Sequence, residues 1–154
     1  MKTTIWVAVC ICSFIACQIS TTSNKPARPE LATEVIEADG IGLSLNKKNK
    51  WMIDSVTLQR LYYLREKVYA FGSTMENSEI SDINREAEDY GAIVASVPHS
   101  LGDHYHPQIE IMISKIKEQL ELMKGENLQA AQIGVVNLST ILDQLPVYFE
   151  LKND

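Results

Sequence analysis

Cysteine is missing from the chain after position 17, and histidine is missing everywhere except between positions 99 and 106. Cys10, Cys12 and Cys17 therefore leave no pair with which a disulfide could staple the body of the protein. Covalent haem attachment needs C-x-x-C-H, which does not occur. With His99, His104 and His106 as the whole histidine complement, an H-E-x-x-H zinc helix is also excluded. The seven glycines form neither a P-loop nor a dinucleotide fingerprint. Basic charge is scarce as well: 14 Lys and Arg stand against 20 Asp and Glu, for a net charge of −6. That balance argues against a nucleic-acid binder, which needs a basic face to displace counterions. What is present is an ordinary globular composition, 45% apolar and 22% charged. At 154 residues the chain suits one domain that can bury a core without metals or disulfides.

One apolar run stands out, at residues 5–16 (IWVAVCICSFIA), behind a short basic lead. It is shorter than the roughly 20 residues that a mature membrane span requires. Its length and flanks are those of a secretory signal peptide. Its end, Phe14-Ile15-Ala16-Cys17, resembles a bacterial lipobox, in which a small residue precedes a cysteine that is acylated and becomes the new N-terminus. Ordinary cleavage near Ala16 or Ser20 is the alternative. Residues 18–29 are rich in Ser, Thr, Asn and Pro, and read as a tether holding a domain clear of the headgroups. The expected organisation is thus a lipoprotein signal peptide at 1–16, a lipidated Cys17 with tether to 29, and a folded domain over 30–154.

The domain opens with a stretch that is not helical in pattern. Ile41-Gly42-Leu43-Ser44-Leu45 alternates apolar with small or polar residues, which predicts an extended arm lying along helices. Asn46-Lys47-Lys48-Asn49-Lys50 is a basic turn, read either as a contact for acidic lipid headgroups or as a plain solvated loop.

Four helical stripes follow. Residues 51–71 carry Val56, Leu61, Leu64, Val68 and Phe71 at helical spacing, widened by Tyr62 and Tyr69, with Asp54 or Ser55 as N-cap. Residues 78–96 carry Ile80, Ile83, Ala87, Tyr90 and Val94, with Ser78 as cap and Pro98 as stop. Residues 103–124 carry Ile109, Ile113, Ile116, Leu120 and Met123, with Asp103 as cap and Gly125 as stop. Residues 126–149 carry Leu128, Ala131, Val135, Leu138, Leu142 and Leu145, with Pro146 expected to kink or end the helix near Leu145. Helices of about 20 residues joined by short loops predict an all-α fold, an antiparallel up-down-up-down four-helix bundle with an extended N-terminal arm.

Leu43-x-Leu45-Asn46 followed by Lys50-Trp51-x-x-Asp54 resembles the opening of a group of small bacterial envelope lipoproteins of unknown function. These are similar to cytochrome b562 in being four-helix bundles, and the resemblance covers residues 41–149. It implies a bundle facing the periplasm, with His104 as the match to a histidine near the central turn of some relatives. Cytochrome b562 holds haem between a Met on its first helix and a His on its last. Met52 stands near the first position, but residues 126–149 contain no histidine, which argues against haem here.

The chemistry that does remain gathers at the middle turn. His99, Asp103, His104, His106 and Glu110 form a candidate metal set. Histidines two apart in an irregular turn can face one ion, and His106 and Glu110 share a face once the helix is regular. Imidazole with carboxylate suits Zn²⁺ or Cu²⁺. The competing reading is that His104 packs or caps the third helix while the others are solvated. Met52, Met75, Met112 and Met123 lack the close clustering of a copper(I) ladder and read as core filling. Ser96 and Ser100 beside His99 and Asp103 have no G-x-S-x-G elbow and no strand to hold one. The sequence therefore predicts no enzyme, no small-molecule substrate and no cofactor beyond a candidate Zn or Cu. It predicts a membrane-anchored periplasmic protein in a binding or accessory envelope role, with the lipid anchor and an envelope protein as partners.

Overall fold

The protein, seen in a computed structural model, is described over residues 35–98 and 107–151. It is mostly helical with little strand, as the patterning predicts. Asp54 sits in extended backbone and its side chain accepts a hydrogen bond from Thr57 N at 2.9 Å, capping α1 (Ser55–Gly72). Leu58, Leu61, Leu64 and Val68 recur three or four apart and form its buried stripe. Partial burial would push the Asp54 carboxyl up, but the hydrogen bonds it accepts, led by the Thr57 N–H, hold it below its ordinary value. A depressed carboxylate adds stability above its unfolded pKa and loses it as pH falls through the folded one. Asp54→Ala is therefore expected to cost about 1 kcal/mol at neutral pH. The deficit relative to wild type should shrink below pH 4 in acid titrations of stability.

Between α1 and α2 the chain makes a short 3-10 turn at Met75–Asn77. α2 (Ile80–Ala95) starts one residue later than Ser78 would have placed it. Glu79 is its cap residue, and the Glu79 N–H donates to Asp82 Oδ2 at 3.2 Å. α3 spans Pro107–Met123. Asn127 caps α4 (Leu128–Leu142) by accepting from Ala130 N at 3.0 Å. The last stretch breaks near Leu145, as Pro146 predicts. α4 ends at Leu142, the turn at Asp143–Gln144 leads into α5 (Leu145–Tyr148) with Pro146 in its first turn, and the chain then becomes extended. Proline is tolerated in a first turn because its missing N–H would have no helical acceptor there.

That extended end finds a partner at the start of the domain. β1 (Trp51–Ile53) pairs in parallel with β2 (Phe149–Leu151), matching Trp51 with Phe149 and Ile53 with Leu151. Residues 51–53 are thus strand, where the sequence predicts the first helix. Ile53 and Phe149 are buried under the ribbon.

α1 packs on α2 and α4, and α3 packs on α2 and α4. Tyr90, Leu61, Leu64, Ile83, Ile116 and Leu138 fill the space between them. Three stripe residues are exposed. Val56 and Leu128 sit in the first turns of α1 and α4, and Tyr69 turns its hydroxyl to a polar partner.

The arm lies along the helices as expected, and polar side chains pin it there. Ile36 N donates to Asn137 Oδ1 at 2.8 Å, and Ser44 N donates to Gln108 Oε1 at 2.7 Å. Ile41, in a 3-10 turn at Ala38–Ile41, is buried against α3 and α4. Gly42 follows with φ +80°, a conformation that favours glycine.

Candidate functional site

Cys17, His99, Asp103, His104 and His106 lie outside the described residues, as does all of 1–34. What the structure does place is the frame of the histidine turn. Val97 is buried at the end of α2, and Ile109 is buried in the first turn of α3. Glu110 is exposed on the first turn of α3. Among the described residues no three His, Cys, Asp or Glu gather closely enough to hold a metal. No described helix is long and apolar enough to cross a membrane.

Beside that frame, the fold assembles three polar arrangements that sequence patterning does not flag. The first joins α1 to the end of α4. Arg65 donates from Nε and Nη2 to Asp143 Oδ1 at 3.0 and 2.7 Å, and the Tyr69 hydroxyl donates to Asp143 Oδ2 at 2.6 Å. The guanidinium carbon also lies 5.0 Å from the centre of the Tyr69 ring. Hydrogen bonding to Asp143 raises the Arg65 pKa further above its ordinary value. Both members are about a third exposed, so the bridge is a modest clamp.

The second is buried. Asn137 on α4 is fully enclosed and its Nδ2 donates to Gln119 Oε1 on α3 at 3.0 Å. Its Oδ1 takes the Ile36 N–H, so one amide joins α3, α4 and the arm. Two polar residues on predicted core-facing helices are the signal that could have found it.

The third is an open cleft of about 270 Å³ between α1 and α2, lined by Tyr63, Lys67, Glu86, Asp89, Tyr90 and Ile93. Burial, reinforced by Glu86, pushes the Tyr90 phenol well above its ordinary value, and its hydroxyl donates to the Lys67 carbonyl. A phenol held neutral and bonded to backbone braces the two helices and is unsuited to proton transfer at neutral pH.

One surface element carries strain. Asn46 and Asn49 exchange backbone hydrogen bonds at 2.9 and 2.8 Å around a two-residue turn, with Lys47 at φ +50° and Lys48 at φ +84°. Such a turn favours Asn-Gly, because both central residues take positive φ. The variant Lys47→Asn/Lys48→Gly is expected to gain about 1 kcal/mol in stability, read by thermal denaturation.

Comparison with protein-family models, curated proteins and solved structures returned no match to this chain.

Proposed function

We propose that the protein is a lipid-anchored envelope protein, a helical domain exported across the inner membrane, acylated at Cys17 and held facing the periplasm. Its role on this reading is binding or accessory and not catalytic. The single observation that carries it is the segment at 5–17, an apolar run closed by Ala16-Cys17, with every cysteine of the chain inside it. Two or more acyl chains would bind firmly, since each buried CH₂ contributes about 0.8 kcal/mol. The domain on this reading is a cytochrome b562-like antiparallel up-down-up-down bundle without haem. Packing of α1 on α2, α2 on α3, α3 on α4 and α4 on α1, with α2 also touching α4, supports it.

Metabolic labelling with an alkyne fatty acid in a bacterial host tests the anchor. Label should enter the wild-type protein and be absent from Cys17→Ser. Equal labelling of both, or of neither, would overturn the assignment.

A second reading is a Zn²⁺ or Cu²⁺ site formed by His99, Asp103, His104, His106 and Glu110. The observation that favours it is that every histidine of the chain falls within residues 99–106, between the buried Val97 and Ile109. Calorimetric titration of the protein with each metal should show binding that a triple His→Ala variant loses. Equal affinity in the two proteins would remove this reading.

A further inference from the structure

We propose that the Asn46–Asn49 hairpin turn and its flanks form a contact for the anionic phospholipid surface to which the protein is tethered, a reading that rests on the anchor at Cys17. The chain is acidic overall, but residues 40–53 contain Lys47, Lys48 and Lys50 and not one Asp or Glu. Residues 44–50 are all exposed. Leu45 and Met52, on either side of the lysines, are exposed at 42% and 44%. Basic side chains flanked by exposed apolar ones suit an anionic headgroup layer, where the lysines meet phosphate and the apolar chains its hydrocarbon edge.

The turn geometry strengthens the argument. Lys47 and Lys48 occupy positive-φ positions at which Asn and Gly would be relaxed. The ends of this segment are tied together and to α3, since the Trp51 indole N–H donates to the Ser44 carbonyl at 2.6 Å and Ser44 N is bonded to Gln108. The lysines lie between these two ties.

Seventeen residues separate Cys17 from Val35, so acylation at Cys17 would raise the effective concentration of the patch at the bilayer. Such a patch would orient the domain rather than anchor it, turning the arm toward the membrane.

The test is amine acetylation of the full chain reconstituted in vesicles, read lysine by lysine by mass spectrometry. Vesicles of phosphatidylglycerol with phosphatidylethanolamine are compared with phosphatidylcholine alone. Lys124, at the far end of α3 from the Gln108 contact, is the internal control. Lys47, Lys48 and Lys50 are expected to react roughly fivefold more slowly on the anionic vesicles. High salt should remove the difference by screening, and Lys124 should react alike on both. Equal rates at the three lysines would overturn the proposal, as would equal slowing of Lys124. An acidic protein as the true partner of this tip would give the first of those results. Flotation with the neutral vesicles reads the anchor separately. Loss of flotation there overturns the anchor alone, while the lysine rates on anionic vesicles still decide the patch.

Discussion

Replacing Gly134 with alanine is expected to destabilise the protein by about 1–3 kcal/mol, the range for overfilling a packed site. The same exchange inside a helix ordinarily gains up to about 1 kcal/mol, because glycine loses the most chain entropy on folding. The sign reverses because α4 lies against α3 at this point. A Cβ on Gly134 would stand 2.8 Å from Met123 Cγ, 3.1 Å from the Gln119 carbonyl oxygen and 3.3 Å from Met123 N. Two of those atoms are backbone, and Cγ is the root of the Met123 side chain, so no terminal group can swing aside. The helices must separate or α3 must bend. Valine, with two more carbons, should cost more than alanine. Gly91 provides the control, since it is also inside a helix but has nothing within 4 Å of an added Cβ. Gly91→Ala should therefore stabilise by about 0.5–1 kcal/mol. Urea denaturation of both variants, followed by circular dichroism, reads the pair. Shifts of the same sign would show that close approach at Gly134 is not what sets its identity.

Asn137→Ala is the second large effect, expected to cost about 2–4 kcal/mol from a lost buried hydrogen-bond hub and the space it leaves. The penalty is large because of what remains. The Ile36 N–H and the Gln119 side chain both lose this partner, and Gln119 is itself 4% exposed. An enclosed polar group without a partner keeps its full desolvation cost. Gln119→Leu should relieve part of that cost, so the double variant Asn137→Leu/Gln119→Leu should be more stable than the two single losses added together. It should still release the arm, because Ile36 has no acceptor on α4 in either case. Limited proteolysis distinguishes the two consequences: cleavage within 35–44 should rise in every variant that lacks Asn137, including the stabilised double one. Unchanged cleavage there would mean that burial of Ile41 alone holds the arm.

The helices were legible because their stripes are regular. Leu61-Leu64-Val68, Ile83-Ala87-Tyr90-Val94 and Ile109-Ile113-Ile116-Leu120 are all buried as their spacing predicts. The ends were less so. Of Asp54 and Ser55 it is Asp54 that caps α1, and Asp82 makes Glu79 rather than Ser78 the cap of α2. The parallel ribbon could not be read from the sequence. Each strand is three residues long, and the partners lie at opposite ends of the domain, so no local pattern announces the pairing. Tyr69 joins the stripe by its spacing and apolar ring, yet its hydroxyl finds Asp143 at the surface. Gly134 and Asn137 escape sequence patterning for a related reason. A glycine and an amide read as weak helix positions, and only the approach of α3 shows that one must be small and the other must bond. Of the candidate metal set, Glu110 alone falls among the described residues, so the histidine turn rests on sequence chemistry.

The N-terminus of the mature protein decides whether the domain is lipid-anchored. Intact mass spectrometry with N-terminal peptide sequencing, on protein isolated from the membranes of a bacterial host, reads it directly. The expected result is a chain beginning at Cys17 and heavier by a diacylglyceryl group, with or without a further acyl chain on its amine. An unmodified chain beginning at Ser20 or beyond would contradict it and leave an ordinary exported protein in its place.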